Sequence, residues 1–165
     1  KMKKTTEFMK LYDQMIDLSV REGYGDPFTY GRGKEIYLAE WLGHTVAPTL
    51  AGSDGYDQDG NPVEYKSTIS STIKATYNGV SVQDSWEEQV EYLETNKIGK
   101  YKNHFFSRFD ETGLVEVWSM EADRVLELLL PKLSKQFHKE QKGKDPRLGA
   151  SLSKKEIQTF GTRLL

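Results

Sequence analysis

The segment Ser53-Asp54-Gly55-Tyr56-Asp57-Gln58-Asp59-Gly60-Asn61-Pro62-Val63-Glu64-Tyr65-Lys66-Ser67 constrains the fold more than any other part of the chain. Asp59-Gly60 is a strong turn signal, and a three-residue loop with Gly in the left-handed position is a common hairpin closure. Gln58-Asp59-Gly60 fits that loop. Opposed residue numbers in such a hairpin sum to a constant, which sets Asp54 opposite Glu64. Directly opposed side chains have Cβ atoms roughly 4.5–5.5 Å apart. Glu64 and Lys66 are two positions apart on one strand and so share a face, whereas Val63 and Tyr65 turn toward the core. One surface is therefore expected to carry two carboxylates and an amine.

Two adjacent carboxylates repel each other and favour a cation between them. A hard divalent ion fills that role with oxygen ligands, and it activates water beside a phosphate. A neighbouring ammonium can orient the attacking water and stabilise the charge that develops. These are the needs of phosphodiester hydrolysis. A surface hairpin with a cross-strand ion pair is the plain structural alternative. An EF-hand reading fails, because Gly60 at the sixth position puts Gly55 at the first ligand and Lys66 at the twelfth, where a Glu is required. Asp57 and Asp59 then read as turn formers.

Composition narrows the chemistry further. The 165 residues include no Cys and three His, so thiol nucleophiles, disulfides and thiolate or histidine-built metal sites are set aside. Any metal must be held by carboxylates, which favours magnesium or calcium. No apolar run approaches the roughly 20 residues that span a bilayer, and no signal peptide is visible, so a cytoplasmic protein without a membrane partner is expected. The net charge of -2 argues against nucleic-acid binding by bulk electrostatics alone. Its distribution is uneven: nine basic side chains from Lys132 onward face three acidic ones, a net +6 against -8 for the rest. That stretch is either a polyanion-binding arm or a solvated surface.

Patterning predicts a single α/β (α+β) domain over residues 1–165, with a short mixed central sheet flanked by helices. An amphipathic helix is expected over 7–21, with Phe8, Leu11, Tyr12, Met15, Ile16 and Leu18 at helical spacing. A second is expected over 33–42, burying Ile36, Leu38, Ala39 and Trp41. A strand with an irregular end follows over 44–50, and the hairpin takes 54–70. An exposed acidic helix is expected over 85–96, and strands over 104–109 and 114–120 flank a turn. A helix over 121–137 should end or kink at Pro131. The last apolar stretch, 157–165, reads as a short strand or tail. His44, His104 and His138 read as structural or surface residues.

Asp54 followed by Glu64-Tyr65-Lys66 resembles the Asp…(Asp/Glu)-X-Lys signature of the PD-(D/E)XK nucleases, and the gap of ten is similar to that of the blunt-cutting, PvuII-like branch. The resemblance extends through Arg21-Glu22-Gly23 to Phe28, Gly33-Lys34, Leu42-Gly43-His44-Thr45-Val46, Ile98-Gly99-Lys100-Tyr101-Lys102, Asp145-Pro146-Arg147-Leu148 and Phe160-Gly161-Thr162. It covers most of the chain, with an extra stretch near 82–97. It implies a restriction-endonuclease-like core and a homodimer straddling double-stranded DNA. Asp54 and Glu64 would hold Mg²⁺, and Lys66 would act at the attacking water. The helix 7–21 would sit in the dimer contact, with Met9, Tyr12, Met15 and Ile16 as its apolar seam; packing within one chain is the alternative. Glu35 lies where some such nucleases add an acidic metal ligand, or it is a solvated helix residue.

The chain departs from the branch in its recognition elements. A run of His after the lysine is replaced by Thr76-Tyr77-Asn78-Gly79-Val80-Ser81, and two acidic positions become Tyr30 and Ala51. A different DNA site is therefore expected. Lys74, Thr76, Asn78 and Ser81 are the candidates for base contact, with Tyr30 as a further DNA-binding candidate. The expected activity is a type II restriction endonuclease. A repair or junction-resolving nuclease of the same fold and a non-catalytic DNA-binding module are the alternatives.

Overall fold

The computed structural model describes residues 5–48, 52–139 and 146–165. The expected strand end at 49–50, Ala51 and Asp145 lie outside them. The chain starts with α1 (Glu7–Arg21) and α2 (Arg32–Leu42), followed by β1 (Thr45–Val46), β2 (Gly55–Tyr56), β3 (Pro62–Thr68) and β4 (Ala75–Val80). Next come α3 (Trp86–Tyr92), a π-helical turn (Leu93–Lys97), β5 (Asn103–Asp110), β6 (Gly113–Glu121) and α4 (Ala122–Phe137). The chain closes with β7 (Leu148–Leu152), α5 (Lys154–Phe160) and β8 (Thr162–Arg163).

Six strands form one mixed sheet in the order β1-β2-β3-β5-β6-β8, and β4 pairs with β7 in a separate ribbon. Only β3 and β5 run parallel within the large sheet; its other pairings are antiparallel. The parity of the strands separates two cores. Val63, Tyr65, Phe105 and Val117 pack with Leu38 and Ala39 of α2 on one face. Phe106, Trp118 and Met120 face the other way and meet α4, Ile73, Tyr77 and Leu152. Glu64 and Lys66 share the parity of that second face, so they stand at the edge of the larger core. Among the described residues, no helix is long and apolar enough to cross a membrane.

Several local expectations change. β4 and β7 were not foreseen as strands. From Ile73 into β4, Ile73, Ala75 and Tyr77 are buried while Lys74, Thr76 and Asn78 are exposed, the alternation of a half-covered strand. The stretch 157–165, expected as a short strand or tail, divides: its start belongs to α5, where Ser153 and Glu156 form a reciprocal capping box, and Thr162–Arg163 is the short strand β8. Pro131 neither ends nor interrupts α4; Leu129 and Leu133 on either side are fully buried, and their packing outweighs the lost hydrogen bond. The acidic helix closes in a π turn, and Trp41 stays 42% exposed. In α1 only Ser19 is buried, leaving Phe8, Met9, Leu11, Tyr12, Met15 and Leu18 exposed.

Candidate active site

The hairpin pairs in the expected register: Gly55 opposes Val63 and Tyr56 opposes Pro62. The loop is tightened by Asp57, whose amide donates to the Asn61 carbonyl at 2.9 Å and whose carboxylate accepts from the Asn61 amide at 2.8 Å. Gly60 takes φ +81 there. Asp57 is thus a turn former, as its spacing suggests.

One residue before the ladder, Asp54 meets β3 with its side chain, while its carbonyl accepts from the Ala47 amide at 3.1 Å. Its Oδ2 accepts from the Tyr65 amide at 2.8 Å. That bond pins the carboxylate against β3, next to Glu64. Gly55 permits the approach: a Cβ there would lie 2.5 Å from the Tyr65 hydroxyl and 2.9 Å from the Thr45 carbonyl. Glu64 in turn accepts a charge-assisted hydrogen bond from Lys66 Nζ. The three residues expected on one face are therefore held together, two by a shared ion pair and one by a backbone bond.

Burial, then the neighbouring charge of Glu64, pushes the Asp54 carboxyl up to about 7, with a further contribution from Glu35 and against the pull of the Tyr65 amide and Lys66. Negative charge is thus crowded here beyond what one ammonium offsets.

Glu35, on the first turn of α2, joins Asp54 in the wall of a cleft of about 500 Å³ that also includes Tyr30, Arg32, Gly52 and Ser53. Glu64 and Lys66 are not in that wall. Arg32 braces the cleft: it donates to the Tyr24 carbonyl at 2.9 Å and the Ala47 carbonyl at 2.6 Å, and it pairs with Glu35 at 3.3 Å. Among the described residues, no three Asp, Glu or His side chains converge closely enough to cage a metal by themselves. Asp54 and Glu64 supply two hard-oxygen donors, and a cation held by them would complete its shell from carbonyls, water or substrate. Crowded oxygens of this kind fit Mg²⁺.

Three groups escaped the sequence reading. Tyr101 donates to the Gly52 carbonyl at 3.0 Å, and Lys100 Nζ reaches the same oxygen at 2.6 Å. Burial and the charges of Glu64 and Asp54 hold the Tyr101 hydroxyl well above its usual range, so it stays a neutral donor. His104 is fully buried and registers with Glu64 across β3 and β5. Burial holds its imidazole down to about 4. These residues reach the site from some forty to fifty positions away in the chain, His104 through the β3–β5 pairing and Lys100 and Tyr101 through the Gly52 carbonyl.

The DNA-binding candidates divide. Thr76 and Asn78 on β4 are exposed, as is Lys74 just ahead of the strand. Thr76 Oγ1 lies 3.0 Å from Ser151 Oγ on β7, which joins the two strands into one polar face. Ser81 is exposed but lies beyond β4, and its carbonyl accepts from the side chains of Gln83 and Gln89. Tyr30 is fully exposed at the rim of the cleft, with φ 49, a left-handed conformation uncommon outside Gly. A scan against protein-family models finds no match, and no curated protein matches the chain.

Proposed function

We propose that this chain is a Mg²⁺-dependent type II restriction endonuclease with a restriction-endonuclease-like core, hydrolysing both strands of double-stranded DNA at a short specific site. The observation that carries the reading is the convergence of Asp54, Glu64 and Lys66 at the β2–β3 hairpin, with Lys66 in contact with Glu64 and Asp54 anchored to the Tyr65 amide. In this reading Asp54 and Glu64 hold the metal. When bound, Mg²⁺ supplies charge neutralisation at the scissile phosphate and acidifies water there.

The chain's own residues do the rest. Lys66 places a cation beside the reacting phosphate, where it orients the attacking water and stabilises the pentacovalent transition state. The Tyr65 amide fixes the angle of Asp54. Lys100 and Tyr101 hold the Gly52 carbonyl, and with it the loop that carries Asp54. The exposed ribbon face with Lys74, Thr76 and Asn78 supports base reading, because a two-stranded ribbon fits the major groove. The uncovered apolar stripe of α1 supports a homodimer, which would carry one site to each strand.

The test is incubation with mixed-sequence duplex DNA and Mg²⁺. Discrete fragments are expected, and they should vanish in Lys66→Ala and in EDTA. Preference for branched or damaged DNA would replace this reading with a repair or junction-resolving nuclease. Salt-dependent binding without cutting would leave a DNA-binding module.

A further inference from the structure

Behind the catalytic face lies a buried polar chain that hydrolysis chemistry alone does not account for. Lys66 Nζ sits 5.2 Å from the centroid of the Tyr77 ring. The Tyr77 hydroxyl lies 2.8 Å from His104 Nδ1, and His104 Nε2 lies 3.0 Å from the Ile98 carbonyl oxygen. A carbonyl only accepts, so Nε2 carries the proton. In the neutral imidazole Nδ1 is then the acceptor, and the Tyr77 hydroxyl donates to it. Tyr77 is 7% exposed and His104 is 0% exposed. Packing alone would be served by Phe and Leu, without burying two polar groups.

We propose that Tyr77 and His104 form a platform that positions the Lys66 ammonium; the inference rests on the nuclease reading above. Lysine has four rotatable bonds and a spherical head, so one ion pair to Glu64 leaves its direction loosely set. The negative face of the Tyr77 ring supplies a second contact on another side. The ring is held at both ends, by the alternation of β4 that turns it inward and by the bond from its hydroxyl to His104. His104 stands on β5 between two paired neighbours, opposite Glu64 on β3 and Met120 on β6. The β3–β5 pairing that sets Glu64 therefore also sets His104, the half of the platform that holds the Tyr77 hydroxyl. Tyr77 and His104 are positioning residues and touch no substrate.

Two measurements test this. The first needs no activity. In protein labelled at lysine Cε, the Lys66 signal, assigned by its loss in Lys66→Ala, should be shifted upfield by the ring current. The shift should persist in Tyr77→Phe and disappear in Tyr77→Leu. An unshifted Lys66 signal in the wild-type protein would overturn the proposal, even if the leucine variant failed to fold. The second is single-turnover cleavage. Tyr77→Leu should slow the chemical step by about tenfold or more, the scale of a misplaced reacting group, with DNA affinity in Ca²⁺ unchanged. Tyr77→Phe should lie between it and the wild type. In a Lys66→Ala background the residual rate should not respond to Tyr77→Leu, because the platform acts through the lysine. An equal loss in both backgrounds would mark a structural role and sink the proposal. Wild-type protein that cuts while Tyr77→Leu cuts equally fast would defeat the platform alone. Wild-type protein that cuts no DNA would defeat the reaction itself, and the positioning role with it.

Discussion

At the scale of single residues, the site is defined by crowded charge. Asp54 is held up to about 7, first by burial and then by Glu64. The sign follows from linkage. Between the ordinary carboxylate range and 7, the folded protein keeps a proton that the unfolded chain has released, so this group weakens the metal-free fold as pH rises. Asp54→Asn should therefore melt at the same temperature as the wild type near pH 4 and a few degrees higher at pH 8, in EDTA. A variant less stable than the wild type at pH 8 would contradict the assignment. Mg²⁺ at pH 8 should raise the wild-type melting temperature and leave that of Asp54→Asn unchanged, since a ligand that binds only the folded state stabilises it. For catalysis, Lys66→Ala should cut at least ~100-fold more slowly, the order expected for loss of one preorganised electrostatic group. Binding of duplex DNA in Ca²⁺ should survive the change.

At the scale of elements, the hairpin was legible and the platform was not. The register of β2 and β3 follows from Asp59-Gly60, because a turn of a few residues fixes the pairing on both sides. Asp54, Glu64 and Lys66 could therefore be brought together from sequence. The pairing of β4 with β7 spans about seventy positions, and β4 is polar on one side, with Gly79 at φ +69. The apolar–polar alternation from Ile73 to Asn78 marks a strand, but nothing local names β7 as its partner. From sequence, His104 reads as structural or surface; its burial fits the first, but its bond to Tyr77 depends on how β4 lies against β5. Gly55 gives the element-scale prediction. Gly55→Ala should destabilise the protein by about 1–3 kcal/mol, the usual cost of overpacking, because the Thr45 carbonyl and the Tyr65 ring both crowd the new methyl. Chemical denaturation would measure it, and wild-type stability in the variant would show that the hairpin can spread.

At the scale of the whole molecule, the chain leaves an apolar helix uncovered and places a polar ribbon far from it in sequence. α1 exposes Phe8 at 76% and Leu11 at 58%, with Tyr12 stacked on Phe28 at 4.3 Å. Helices of this character are ordinarily covered by a partner surface. Light scattering of the wild-type protein is expected to give the mass of a dimer, and Leu11→Asp with Met15→Asp the mass of a monomer. A monomeric wild type would leave each strand to be cut in separate encounters. On the proposed reading, in which base contacts set the site and carboxylates the chemistry, Asn78→Ala should alter which fragments appear and leave the dependence on Mg²⁺ the same.

The most direct measurement is sequencing of the ends produced from a plasmid of known sequence in Mg²⁺. The account predicts breaks in both strands at one recurring short sequence, absent with Lys66→Ala. Intact plasmid across a broad panel of DNA substrates, or ends scattered without any common sequence, would contradict it.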